Sequence, residues 1–290
     1  MSGLSDDEVP SVPLDDDEAA PEVIDGIRSL HSRIDDLHRL VAQRLEAEGV
    51  QAGGWLHERA GVVHRRPSLP AWRRRTEGEL RWPVALITAL GIGLQVAVPD
   101  KLVLVSPAWI FPAAQGALLI VLIMANPQRI DRQSKIMRML SLVLAAMLSL
   151  GNGWSVASLA VGITRGTMGR NPGQLLITGG VIWLTNVIAF SLWYWEWDRG
   201  GPVARALNLK DRYPDFQFPQ MLSPEMAPPD WEPAFVDYFY LAFTNATAFS
   251  PTDVMPLSRW AKAAMTVQTI ISIVTVALVV SRAVNILPTA

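Results

Sequence analysis

The sequence predicts an all-α, polytopic membrane protein with five transmembrane helices. A sixth, short helix either spans or re-enters, and a cytoplasmic helix precedes the first span. Three observations predict this class. Half of the 290 residues are hydrophobic and the mean hydropathy is positive, a balance that points to membrane rather than soluble domains. Several apolar runs carry no charge, the clearest being the nineteen residues 263–281, close to the roughly 20 a spanning helix needs. Arginine and lysine gather in alternate connections, the pattern that orients helices in a bilayer.

Composition also excludes chemistry. The chain has no cysteine, so disulfides, thiolate metal sites and cysteine nucleophiles are ruled out. Its four histidines, His31, His38, His57 and His64, all precede the first apolar run. The membrane part therefore lacks the commonest general base and metal ligand. Neither an H-E-x-x-H nor a G-x-S-x-G pattern occurs, and the reading is of a non-enzyme without cofactor or metal. A net charge of −2 gives no field for nucleic acid, and no small-molecule ligand is indicated.

Residues 1–21 are acidic and proline-bearing, with Asp6-Asp7-Glu8 and Asp15-Asp16-Asp17-Glu18. They read as a disordered tail, because few apolar groups offset the entropy of ordering. They lack the apolar core of a cleavable signal. Residues 22–49 read as an amphipathic or coiled-coil helix. Val23, Ile27, Leu30, Ile34, Leu37 and Val41 alternate at spacings of four and three, with branched residues at a and leucine at d. That choice suits a parallel dimer. The alternative is a helix lying on the membrane or on its own protein.

Residues 50–81 form a basic juxtamembrane linker with Arg65, Arg66, Arg73, Arg74, Arg75 and Arg81, which marks the cytoplasmic side and attracts anionic headgroups. Residues 82–195 hold four spans: 82–99, 102–125 with kinks expected from Pro107 and Pro112, 139–163 interrupted at Gly151-Asn152-Gly153, and 174–195. Trp193, Tyr194, Trp195 and Trp197 read as an interfacial aromatic belt. Residues 196–230 read as a structured cap rich in proline and aromatics, with Glu196 and Asp198 pairing with Arg199 and Arg205 at a helix end. Residues 231–290 form a helical hairpin: an aromatic segment, the polar tip Ser250-Pro251-Thr252-Asp253, and the last span.

That hairpin resembles the pore module of tetrameric cation channels of the potassium type. In the resemblance, Asn245-Ala246-Thr247 ends the pore helix and Ala248-Phe249-Ser250-Pro251-Thr252-Asp253 stands where the filter runs. Val254-Met255-Pro256-Leu257 is the link, and Ser258-Arg259-Trp260-Ala261-Lys262 opens the inner helix. The register needs no gaps and covers about a fifth of the chain. No glycine follows Trp231 and Pro251 sits mid-filter, whereas a potassium filter needs backbone angles that glycine allows. The filter is degenerate, and potassium selectivity is not expected. The phrases Tyr194-Trp195-Glu196, Asp198-Arg199-Gly200-Gly201-Pro202 and the stretch from Asn245 to Asp253 also resemble an uncharacterised family of bacterial inner-membrane proteins.

The resemblance implies a channel-like or transport-related homo-oligomer, tetrameric or dimeric, in the bacterial inner membrane. Its polar path would run along Asp237, Asn245, Thr247, Ser250, Thr252 and Asp253. Ionisable groups inside a membrane are costly and default to function. Asp253 also has a plain alternative as the cap of the last helix. A non-conducting scaffold or sensor that assembles through residues 22–49 is the competing reading.

Orientation poses a conflict. Charge starts the chain inside and returns it inside at residue 196, whereas an ordinary pore module needs residue 196 outside. Either residues 235–249 cross, or they dip in from the cytoplasmic face. The fifteen uncharged residues between Asp237 and Asp253 reach about 22 Å as a helix, short of the roughly 30 Å core. Length favours dipping and charge favours crossing; the reading leans to crossing.

Overall fold

The computed structural model describes residues 29–30, 32–37, 39–40, 70–130, 134–168, 171–208, 213–247 and 253–286. The acidic tail, the linker before residue 70, the four histidines, Ser250 and Thr252 lie outside the described residues. The chain divides into two units, Met1–Ser68 and Leu69–Ala290. In the first, the described positions between 29 and 40 are helical, and Leu30, Ile34, Leu37 and Leu40 are exposed.

The second unit is a helical bundle. Its helices are α1 (Arg81–Val96), α2 (Ile110–Ala125), α3 (Lys135–Thr164), α4 (Pro172–Trp197), α5 (Pro202–Ala206), α6 (Pro219–Leu222), α7 (Phe235–Thr247) and α8 (Arg259–Asn285). A two-stranded antiparallel ribbon, β1 (Phe216–Gln217) with β2 (Met255–Pro256), pairs Phe216 with Pro256 and Gln217 with Met255. Among the described residues three helices are long and apolar enough to cross a membrane: α3, α4 and α8. The helices α1 and α2 are apolar but have 16 residues each, about 24 Å of rise.

Two expected breaks fall differently. The second apolar run is helical only from Ile110, after a turn at Asp100–Leu102. Proline lacks an N–H and disfavours helix at the residue before it, so Pro107 precedes the helix instead of kinking it. Pro112 sits in the first turn, where no N–H is required. Conversely, α3 runs unbroken through Gly151-Asn152-Gly153. Glycine costs a helix about 1 kcal/mol, too little to interrupt one held by packing. At Gly151 it buys contact: a Cβ would stand 3.0 Å from the Gln95 amide and 3.1 Å from the Phe111 ring.

The longest-buried element is α4, and α1, α3, α7 and α8 pack around it. Val187 and Ile188 are fully enclosed, as is Leu148 of α3. The helix α8 runs antiparallel to α4. Trp260 meets Trp197 at 5.1 Å near one end, and Val279 fits against Gly179 towards the other, where a Cβ would come within 2.7 Å of the Val279 side chain. The helix α7 starts beside the same end of α4 as α8 does, since Phe235 packs on Trp195 at 5.7 Å. It descends until Phe243 meets Trp183 at 5.6 Å. Alongside it runs α8 in the same direction, with Gln268 bonded to Ala242 and Ser272 to Ala246.

The chain between α7 and α8 therefore returns to the end it left, and β2 completes the ribbon there. This corrects the leaning towards a crossing: α7 dips into the bundle and comes back. Its 13 residues rise about 20 Å, so length outweighs the charge pattern.

Residues 213–234 close that end. Phe216 and Phe218 are buried among Tyr194, Tyr238, Trp231 and Trp260. The aromatic belt is thereby revised: Tyr194 and Trp195 are interior, because the cap covers the helix end that hydropathy alone would leave at an interface. Residues 79–81 run against 128–130 through Ile130 N–H to Glu79 O at 3.0 Å and Arg81 N–H to Gln128 O at 3.1 Å. This fixes the start of α1 and the end of α2 at the same end as the cap.

Candidate functional site

The site is built on α4's last turn and the reversal after it. Consecutive helical residues point about 100° apart, so four neighbours in sequence reach four different partners. The Tyr194 hydroxyl donates to Gln268 Oε1 on α8 at 2.7 Å. Trp195 Nε1 donates to Glu79 Oε2 at 2.9 Å. Glu196 accepts from the Ser141 hydroxyl on α3. Trp197 packs at a tilt on Trp193 and edge-to-face on Trp260. The chain then reverses through positive φ at Arg199 (52°), Gly200 (90°) and Gly201 (97°). At Gly201 a Cβ would also press on the Glu196 carbonyl at 3.0 Å, so glycine is required there.

The reversal sends Arg205 of α5 back over the end of α4. Its Nη1 donates to the carbonyls of Trp195 (2.6 Å) and Asp198 (3.1 Å), and its Nη2 to Glu79 Oε1 (3.0 Å). Glu79 Oε2 also accepts the N–H of Phe235, the first residue of α7, at 2.9 Å. A cation thus closes the C-terminus of α4, an anion closes the N-terminus of α7, and the two pair with each other, each at the dipole end that favours it. Asp198 completes the knot. It accepts from Tyr238 of α7 at 2.5 Å and from the Asp215 N–H at 2.8 Å, while the Arg205 guanidinium lies 5.0 Å from the Tyr238 ring. The expected pairing of Glu196 and Asp198 with Arg199 and Arg205 holds in one case, Asp198 with Arg199 at 3.6 Å. Arg205 pairs with Glu79 instead.

At the buried end of α7 the bonding is neutral. A helix ending inside a bundle must have its last carbonyls satisfied, and α8 supplies the donors. Thr269 reaches Asn245 O at 3.4 Å and Ser272 donates to Ala246 O, while Gln268 Nε2 adds a bond to Ala242 O at 2.8 Å one turn earlier. Gln268 Oε1 accepts both Tyr194 and Asn245, each at 2.7 Å. Trp183 Nε1 donates to Ser272 Oγ at 2.6 Å.

The candidate path residues do not converge on one point. Asp237 lies in the first turn of α7 and accepts the Ala234 N–H at 2.8 Å, half of a capping box. Asn245, two turns deeper, is held between Gln268 and the Met265 carbonyl (3.0 Å). The Thr247 hydroxyl returns to Thr244 O at 2.7 Å. Asp253 is exposed in the return. It is not the cap of α8, which begins at Arg259 with Ser258 accepting the Ala261 N–H. Ser250 and Thr252 lie outside the described residues.

Glu79, Gln268 and Ser272 are absent from the sequence-based path. Their signal is faint but present: Gln268, Thr269, Ser272 and Thr275 fall at helical spacing in an otherwise apolar run. On the cap, burial raises the Glu232 carboxyl above the usual carboxylate range, and the Thr76 hydroxyl that bonds it at 2.9 Å opposes that rise. No group of three or more His, Cys, Asp or Glu side chains placed to hold a metal occurs among the described residues. Compared with protein-family models, curated proteins and solved structures, the chain gives no match in any of the three.

Proposed function

We propose that this chain is a channel-like or transport-related membrane protein whose re-entrant hairpin, residues 235–258, forms a polar path in a homo-oligomer of two or four copies. One observation carries the reading. The helices α7 and α8 leave from the same end of α4 and run side by side, and the inner end of α7 is bonded by α8 side chains. Non-helical backbone at membrane depth is tolerated where protein or a water-filled cavity surrounds it, and the connection from the inner end of α7 to the start of α8 is where such a path would run. On this reading α1, α2, α3, α4 and α8 all cross, and the end rich in arginine and lysine (Arg81, Arg129, Lys135, Arg138, Arg259 and Lys262) faces the cytoplasm of a bacterium. The pore is then inverted, opening from inside, with no selectivity for potassium.

Proteoliposomes containing the purified chain should pass ions above background, and Asp253→Asn should lower cation flux. Background flux across several cations, anions and protons ends the proposal. A non-conducting scaffold or sensor is the second reading, supported by the exposed Leu30, Ile34, Leu37 and Leu40 and by the inward bonding of Asn245. There, deletion of residues 22–49 abolishes self-association while the bundle stays folded.

A further inference from the structure

A cavity of about 200 Å³ opens at the capped end of the bundle, between the start of α1, the end of α2, the start of α3 and the reversal after α4. Three cations, Arg81, Lys135 and Arg138, line it, against one carboxylate, Glu196. Glu196 already accepts the Ser141 hydroxyl. Lys135 and Arg138 are exposed at the rim. Arg81 is different: its residue is only 8% exposed, yet its Nε has no hydrogen-bond partner, and the Glu196 carboxylate attracts it without forming an ion pair among the described residues. A buried, unpaired donor on a charged group is costly and calls for an acceptor.

A second feature faces the same space. Ser134 stands at the N-cap of α3 and lines the cavity, but its hydroxyl accepts nothing from the helix. The first-turn N–H groups of a 30-residue helix are left without a side-chain cap, and such an end attracts anions. Leu122, Ile130, Met137 and Val203 give the remaining wall an apolar part beside Asn126. Cations with an uncapped helix start on one side and hydrocarbon on the other suit an amphiphile with an anionic head.

We infer that this cavity binds a phosphate group, with the oxyanion on Arg81 and the start of α3 and with Lys135 and Arg138 closing over it. The shared chemistry is a phosphate oxyanion, carried either by the ester of an anionic phospholipid headgroup or by free phosphate. The test uses the full chain, delipidated in neutral detergent and titrated with phosphatidylglycerol, phosphatidylcholine or inorganic phosphate, with binding read by native mass spectrometry and by the shift in thermal midpoint.

Phosphatidylglycerol should bind in preference to phosphatidylcholine. Arg81→Gln should weaken binding about tenfold or more, the worth of a charged hydrogen bond. The double variant Lys135→Gln/Arg138→Gln, altered only at exposed positions, should weaken it while the unliganded protein stays folded. Binding that inorganic phosphate cannot displace assigns the site to lipid; binding of phosphate without lipid assigns it to the free anion. The inference is overturned if phosphatidylcholine binds as well as phosphatidylglycerol, if neither lipid nor phosphate binds, or if the double variant keeps full affinity.

Discussion

The two ends of α7 solve the same problem with different chemistry. At its start, under the cap, the helix is held by charge: Glu79 on the Phe235 N–H, Arg205 on Glu79, and Asp198 on Tyr238. At its inner end it is held by neutral amides and hydroxyls: Gln268, Asn245, Thr269 and Ser272. The difference teaches where this bundle tolerates ions. Full charges sit where a helix dipole and an opposite partner both oppose desolvation. Deeper in, uncharged groups satisfy the backbone at much lower cost.

If that contrast is right, the two ends should break unequally. Glu79→Ala leaves Arg205 buried without its anion, and removing one partner of a buried pair costs about 3–5 kcal/mol. Thermal unfolding in detergent should show this as the largest loss of the series, partly restored by adding Arg205→Met. Gln268→Leu removes the acceptor of the Tyr194 hydroxyl and one of the two acceptors of Asn245 Nδ2, yet hydrogen bonds between membrane helices average well under the strength of an ion pair. A loss of about 1–3 kcal/mol is expected in the same measurement. Equal losses at Glu79 and Gln268 would erase the distinction between the two ends.

The smallest effect belongs to Glu232, at the edge of the charged end. Its folded carboxyl lies above its ordinary value of 4.5, so the folded protein holds that proton more tightly than the unfolded chain. The stabilisation is complete below the ordinary value and is lost as pH rises through the raised one. Glu232→Gln should flatten the decline in melting midpoint above pH 4.5 and leave stability near pH 7 undiminished. A midpoint profile that keeps its slope in the variant would assign the pH dependence to another group.

Much of the bundle was legible because hydropathy reports solvent preference directly. The uncharged run 263–281 falls within α8, and the order of polar and apolar stretches gives the helix sequence. What the sequence concealed depends on neighbours. Nothing local says that Tyr194 and Trp195 are interior, since a belt tryptophan and a core tryptophan look alike until the cap carrying Phe216 and Phe218 is placed over them. Pro107 could sit inside or before a helix by hydropathy alone. Whether residues 235–249 cross or return was set by contacts that α7 makes with α8, and Gln268 was legible only as a polar residue in an apolar run, without its three partners. Asp237, read as an intramembrane charge, is a capping residue because α7 begins two residues before it.

The placement of Glu79 also has a consequence for the order of assembly. Its partners follow it in the chain by 116 residues at Trp195, 126 at Arg205 and 156 at Phe235. During synthesis this carboxylate waits through the making of four helices before the first of them exists, and through the cap before the last does. Contacts of such wide separation form late, so the hairpin is the final piece to lock. A nascent chain halted before Arg205 carries an uncompensated acidic group beside its first helix. The knot therefore distinguishes a finished molecule from a partial one and makes completion of the chain a condition of closing the bundle.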